Sequence, residues 1–252
     1  MPVFLSQGIE IAYETYGTGN SPIVLVHGFA SSGAINWRDT GWTDLLVEAG
    51  YSPVTIDNRG HGKSEKLYDP EMYPARRMAE DLAGLISHLG MGPVPVMGYS
   101  MGARICAFAM MDRPELISCG IFGGLGINMI RGLSGSERIV EALLAKSVDD
   151  VTSPVGRQFR LFAEHTGGDL GALAACMQAS RSKITEDDIS RIEAPVLVAV
   201  GSNDDIGGSP QELAALIPNG EALLIPDRDH MRATGDKVFK AGVLDFLARV
   251  PS

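Results

Sequence analysis

The stretch Pro93–Met111, PVPVMGYSMGARICAFAMM, constrains what this chain can fold into more than any other. Val94, Val96 and Met97 form a short apolar run, opened by Pro93 and Pro95, that predicts a buried strand. It passes directly into Gly98-Tyr99-Ser100-Met101-Gly102, after which Ala103, Cys106, Ala107 and Met110 recur at helical spacing. Strand, sharp turn and helix in this order are the setting in which G-x-S-x-G makes a nucleophile elbow. The turn drives Ser100 into a strained backbone conformation. Strand and helix then approach so closely that only small residues fit beside it, hence Gly98 and Gly102. The five-letter pattern alone is cheap, since Gly132-Leu133-Ser134-Gly135-Ser136 nearly repeats it. Its flanks give it weight.

Along the chain, apolar runs alternate with helical periodicities. Val3-Phe4-Leu5, a turn at Gln7-Gly8 and the alternating Ile9–Tyr13 predict an antiparallel pair. Ile23-Val24-Leu25-Val26 is a continuous apolar run, typical of a strand covered on both faces, and it ends in the small-residue loop His27–Gly33. Leu45, Leu46 and Ala49 predict a helix closed by Gly50, Ser52–Ile56 a strand, and Asp57–Ser64 a second glycine-rich loop at a strand end. Met78, Leu82, Leu85, Ile86 and Leu89 mark an amphipathic helix ahead of the elbow. Strands are predicted at Leu116–Phe122, Pro195–Val200 and Ala222–Ile225, with a helix around Glu212–Leu216 and a last helix through Val238, Phe239, Val243, Leu244 and Leu247. Between about Ile127 and Arg191 no strand signal occurs. Ile139, Leu143, Phe159, Phe162, Leu170 and Leu173 instead predict several short helices, with Gly156, Gly167, Gly168 and Gly171 as breaks and Thr185 as an N-cap. The expectation is an α/β protein with a mostly parallel, doubly wound sheet of eight strands, whose ligands sit at the strands' carboxyl ends. Residues 1–122 and 192–252 would form its core and 123–191 a helical cap over the strand ends.

A length of 252 residues suits one α/β domain with an insertion. The formal net charge of -10 argues against nucleic acid or an anionic membrane surface as the main partner. The three cysteines, Cys106, Cys119 and Cys176, form no C-x-x-C pair, and free cysteine is usually buried, so all three are expected reduced and in the core. MPVFLSQG lacks the basic and apolar regions of a signal peptide, and no apolar run reaches the ~18 residues that span a bilayer. The expected compartment is the cytoplasm. There is no H-E-x-x-H, no cysteine–histidine cluster and no full G-x-G-x-x-G after a strand, so no metal and no other cofactor is expected.

The chain resembles the α/β-hydrolases over nearly its whole length. VLVHGFASS at 24–32, TIDNRGHGKS at 55–64, VMGYSMGARI at 96–105 and IEAPVLVAVGSNDD at 192–205 stand in the family's order, and LIPDRDHM at 224–231 supplies the late histidine. The poorly matched part is the expected cap. A serine hydroxyl needs a base within hydrogen-bond reach, and that base needs an orienting acid. Of the five histidines, His88 is expected in the middle of a helix and His165 in the cap, neither with a family match. His61 sits where the family often has a histidine without catalytic duty, and His27 is expected to shape the loop it opens. The resemblance implies that Ser100 is the nucleophile, His230 the base and Asp204 the acid, with Asp205 as the alternative acid. Gly123–Ile130, where some relatives place the acid, contains no carboxylate. The resemblance also makes the backbone N–H groups of Phe29 and Met101 the oxyanion donors, each typically worth about 2.7–4 kcal/mol in such sites.

The implied activity is that of a carboxylesterase acting on a small-molecule ester of small or medium size. Lactonase, thioesterase, carbon–carbon bond hydrolase and cofactor-free perhydrolase activities share the triad. A receptor built on the same scaffold is the non-enzymatic alternative. A serine in place of aspartate at the elbow argues against haloalkane dehalogenases and epoxide hydrolases. Phe159 and Phe162 either line the pocket or pack the cap, and the sequence carries no signal for oligomeric state.

Overall fold

The computed structural model describes residues 1–132, 135–179 and 183–250. Leu133 and Ser134 of the near-repeat GLSGS lie outside them. Strands β1 (Val3–Ser6) and β2 (Ile9–Thr15) form an antiparallel hairpin whose turn residues Gln7 and Gly8 have φ of 52° and 80°. Positive φ at both central positions matches the right-handed twist of the flanking strands. Strands β3 (Pro22–Val26), β4 (Ser52–Ile56), β5 (Val94–Tyr99), β6 (Ile117–Gly123), β7 (Val196–Gly201) and β8 (Gly220–Ile225) complete an eight-stranded sheet in the order β1-β2-β4-β3-β5-β6-β7-β8. β2 meets β4 antiparallel, and every pairing from β4 to β8 is parallel. The central strands read as unbroken apolar runs because helices cover both faces; every residue of β7 is buried.

The helices are α1 (Trp42–Glu48), α2 (Ala75–His88), α3 (Met101–Asp112), α4 (Asn128–Arg131), α5 (Ser136–Leu144), α6 (Pro154–His165), α7 (Leu170–Gln178), α8 (Glu186–Ile189), α9 (Pro210–Ala214) and α10 (Lys237–Arg249). On one face, α2 buries Met78, Leu82, Leu85 and Ile86, and α3 packs beside it against β5 and β6. On the other, Trp42 of α1 and Phe239, Val243 and Phe246 of α10 pack on Ile23, Leu25, Met97 and Ile121. Cys106, Cys119 and Cys176 are buried. Among the described residues no helix is long and apolar enough to cross a membrane.

The strands lie where the periodicity puts them, within a residue or two. Thr185 caps α8 in a capping box with Asp188. Two expectations need correction. The helix expected around Glu212–Leu216 starts at Pro210, because the Ser209 hydroxyl accepts the Glu212 N–H and Pro210 takes the first helical position. Gly156 and Gly171 lie inside the first turns of α6 and α7, so only Gly167 and Gly168 separate helices here. Gly156 serves close approach instead: a Cβ there would stand 2.7 Å from the Arg138 carbonyl of α5. Of the helices between β6 and β7, α5, α6 and α7 hold a small core of their own around Ile139, Leu143, Ala163, Leu173 and Met177, which also takes in Ala30, while Met129 of α4 and Ile189 of α8 join the main core.

Candidate active site

The parallel strands deliver their C-terminal loops to one edge, and the order reverses around β3, which lies between β4 and β5. Such a switch point opens a crevice. The loops after β3, β4, β5, β7 and β8 meet there. At the elbow Ser100 has φ 54° and ψ −112°, a conformation that side chains rarely adopt. Its N–H donates to the Gly123 carbonyl at 2.7 Å and its carbonyl accepts the Ala103 N–H at 3.0 Å, which over-determines the turn. A Cβ on Gly98 would stand 2.2 Å from the Gly102 carbonyl oxygen, and one on Gly102 would stand 2.1 Å from that of Val26. Neither glycine is replaceable without moving strand from helix.

His230 Nε2 lies 3.0 Å from Ser100 Oγ, and His230 Nδ1 lies 2.8 Å from Asp204 Oδ2. The other Asp204 oxygen accepts the N–H groups of Ile206 and Gly207, both at 2.8 Å. That leaves one oxygen facing the imidazole, and the carboxylate is fully buried. With Nδ1–H given to the carboxylate, Nε2 is the acceptor toward the serine proton. Asp205 is exposed, so the geometry brings Asp204 and not its neighbour to the histidine. The Tyr99 hydroxyl donates to the His230 carbonyl at 2.5 Å, fixing the histidine loop from inside the elbow. Nothing in the sequence signalled that role, which joins residues 131 positions apart.

Phe29 and Met101 flank Ser100, and among the described residues neither backbone N–H donates to a protein acceptor. The loop carrying Phe29 is held from several sides. Gly28 N–H donates to Asn36 Oδ1 at 3.1 Å, Gly33 N–H to Asp57 Oδ1 at 2.7 Å, and Asn58 Nδ2 to the His27 carbonyl at 3.1 Å. Asn36, which sequence reading missed, sits in a short turn of helix at Ala34–Arg38. Ala30 has φ 57°, and its carbonyl accepts the Thr166 hydroxyl at 2.7 Å, while Phe29 meets Phe159 edge-on at 6.0 Å. The helical segment therefore grips the loop directly.

His27 and His61 face each other at 5.2 Å, both buried. His27 accepts the Asn58 N–H at Nε2 (2.9 Å), so it is neutral and structural, as expected of it. Burial holds its pKa down to about 4. Burial, and then the His27 ring, hold His61 down to about 3. Unfolding exposes both rings to water, where they titrate near 6.5. The unfolded chain thus binds more protons below that value, and stability falls as pH drops from about 6.5 toward 4. Unfolding free energy measured in urea from pH 7 to pH 4 should fall by a few kcal/mol, with a slope approaching two protons near pH 5. A flat profile would show that the rings are already hydrated in the fold. His88 is the last residue of α2 and not in the middle of a helix as expected, since the chain turns at Gly90, and both it and His165, at the end of α6, are exposed away from this cluster.

Two chambers meet at Ser100. One, about 170 Å³, is lined by Tyr73, Met78, Met101, Leu125, Cys176 and Met177 among others. The other, about 340 Å³, is lined by Ser31, Asn36, Thr40, Gln158, His230 and Thr234 among others. Phe159 lines both and Phe162 the second, while both also pack against the small core of the helical segment. The two roles left open for these aromatics are therefore combined.

Sheet order, elbow and the Ser–His–Asp row from the ends of β5, β8 and β7 define a hydrolase-type scaffold. Residues 21–130 match the family model described as the alpha/beta hydrolase fold. A Mycobacterium tuberculosis protein named as a non-heme bromoperoxidase, BpoC, is 31% identical, the match covering 88% of this chain and 91% of the relative. The non-heme chloroperoxidase CPO-A1 of Kitasatospora aureofaciens is 25% identical over 98% of this chain and 99% of its own. The structure of a thermophilic esterase from Thermogutta terrifontis superposes with a TM-score of 0.73 at 25% identity, covering 99% of this chain and 97% of that one. The chain belongs to the α/β-hydrolase fold family.

Proposed function

We propose that the protein is a serine carboxylesterase that cleaves esters of small or medium size through an acyl-enzyme on Ser100. The observation that carries this reading is the row Ser100–His230–Asp204 at 3.0 and 2.8 Å, beside two unspent backbone N–H donors. His230 takes the Ser100 proton as Oγ attacks the ester carbonyl, and Asp204 stabilises the imidazolium that results. The Phe29 and Met101 amides receive the developing oxyanion. His230 then protonates the departing alcohol, and a water activated by the same ring hydrolyses the acyl-Ser100 ester. Residues 123–191 act as a cap that completes the pocket and excludes water from it. The test is multiple turnover of p-nitrophenyl acetate, blocked by a fluorophosphonate whose adduct maps to Ser100. Labelling without turnover would favour a receptor over an enzyme.

The names of the relatives favour one second reading. If hydrogen peroxide replaces water at the acyl-enzyme, its oxygen takes the acyl group, Ser100 recovers its proton through His230, and a peracid leaves. That peracid oxidises bromide to hypobromous acid, returning the carboxylic acid. Bromination of a phenol-red indicator with acetate, peroxide and bromide, lost on fluorophosphonate treatment, identifies this activity.

A further inference from the structure

The turn that presents the Phe29 N–H is strained at its next residue. The Gly28 carbonyl accepts the Ser31 N–H at 3.3 Å, which makes Phe29 and Ala30 the central pair of a four-residue turn. Ala30 has φ 57° and Phe29 has a negative φ, the pattern of a type II turn, whose third position glycine normally fills. An alanine there crowds its own Cβ against the backbone, so the surroundings must hold the conformation in place. Those surroundings come from the segment between β6 and β7. Ala30 is 2% exposed and belongs to the small core of Ile139, Leu143, Ala163 and Leu173.

The Ala30 carbonyl is buried with the residue, and among the described residues the Thr166 hydroxyl, at 2.7 Å, is its one donor. That hydroxyl also lies 3.1 Å from the Ala163 carbonyl, which already accepts the Gly168 N–H at 2.9 Å. Its single proton is therefore needed at Ala30 and not at Ala163. Thr166 closes the C-terminal end of α6, and earlier on the same helix Phe159 meets the Phe29 ring edge-on at 6.0 Å. On its other side Phe29 meets the His61 ring at 5.8 Å. One helix thus fixes two consecutive residues of the turn, one through a ring and one through a hydrogen bond.

We infer that Thr166 is a positioning residue of the oxyanion hole: its hydroxyl holds the strained turn at Ala30 and so keeps the Phe29 N–H aimed at the oxygen that becomes negative. This rests on the esterase reading and adds to it a residue that lines neither chamber. Without the hydroxyl, a buried carbonyl is left unpaired and Ala30 is freed to leave the left-handed region, taking the preceding N–H out of line. Substrate binding draws on the chamber walls, which do not change. The loss is felt where charge develops, in the transition state.

The test compares Thr166→Val, Thr166→Ser and Arg157→Ala with wild type on p-nitrophenyl acetate. Valine keeps the branched shape without the hydroxyl, and serine keeps the hydroxyl. Arg157→Ala removes a different bond of α6, the one to the Val148 carbonyl at 2.6 Å, away from the turn. Thr166→Val is expected to lower kcat about 10- to 100-fold with KM within about twofold. Thr166→Ala, smaller than valine, should do the same. Thr166→Ser should stay within about threefold of wild type, and Arg157→Ala within about twofold. The second readout is inhibition by an alkyl trifluoromethyl ketone. Ser100 Oγ bonds to its carbonyl carbon, the Ser100 proton passes to His230 Nε2, and the ketone oxygen becomes the oxyanion that the Phe29 and Met101 amides receive. Its Ki should rise in Thr166→Val by the factor that kcat/KM falls. KM and Ki do not depend on the folded fraction of a sample, so partial misfolding does not mimic this shift. The assignment is overturned by a Thr166→Val enzyme with wild-type kcat, or by a loss of kcat without a shift in Ki. A serine variant as slow as the valine one, or an equal loss from Arg157→Ala, overturns it as well. Wild-type protein that neither turns over p-nitrophenyl acetate nor binds the ketone overturns the esterase reading itself, which separates the two failures.

Discussion

Ser100→Ala and His230→Ala are each expected to lower kcat on p-nitrophenyl acetate by about five to six powers of ten, and the double variant to do no worse than either alone. Nucleophile and base act as one unit, so the first loss leaves the second nothing to remove. A residue of catalysis should persist from the Phe29 and Met101 amides. Asp204→Asn should lose about four powers of ten, for a reason visible in its contacts. The Ile206 and Gly207 N–H groups demand an acceptor where Asp204 Oδ1 now sits, so an asparagine must turn its NH₂ toward His230 Nδ1. The ring would then carry its proton on Nε2 and could not accept from Ser100. Asp205→Asn, on an exposed side chain, should leave kcat within about threefold. Equal losses from Asp204→Asn and Asp205→Asn would detach the acid from this geometry, and additive losses at Ser100 and His230 would break the unit.

What was legible in the sequence was what depends on neighbours along the chain. β3 and β7 announce themselves because burial on both faces demands unbroken apolar runs, and the elbow because a strand, two small residues and a helix must be contiguous. Asp204 and His230 were found through resemblance, since loop residues carry no periodicity of their own. The supports stayed hidden. Tyr99 looks like the variable position of a G-x-S pattern, and only the fold reveals that its hydroxyl reaches the His230 carbonyl. Asn36 is one polar residue among many until the Ala34–Arg38 turn brings its oxygen to Gly28. Gly156 and Gly171 differ from their reading as breaks for a related reason. A glycine signals a break when the chain must turn, but at Gly156 it marks the contact of two helices, which sequence spacing does not encode. The two chambers at Ser100 are likewise walled by residues drawn from several loops at once.

The support with the largest expected effect on stability is also one of these hidden contacts. Arg59 and Asp81 form an ion pair with side chains 0% and 2% exposed, both Asp81 oxygens meeting Arg59 nitrogens at 2.7 Å. Ser6 Oγ adds a hydrogen bond at 2.5 Å, and Arg59 Nη1 donates to the Met72 carbonyl at 2.6 Å. The pair therefore ties β1, the loop after β4 and α2 together. Taking two charges out of water offsets most of their attraction, so the intact pair contributes little net stability, whereas half of it is a buried, uncompensated charge. Asp81→Ala is accordingly expected to cost about 3–5 kcal/mol in urea unfolding, a large share of a typical domain's stability. Replacing both partners, Arg59→Met with Asp81→Leu, should recover most of that loss, because no charge is then stranded. Arg59 adjoins Asn58, whose N–H and side chain hold His27 and the loop that carries Phe29. Asp81→Ala should therefore also lower kcat on esters well below the unfolding midpoint, and the double apolar variant should restore stability more fully than turnover. A single variant that loses less than about 1 kcal/mol would show that water reaches Arg59, and a double variant no more stable than the single would place the energetic role in packing.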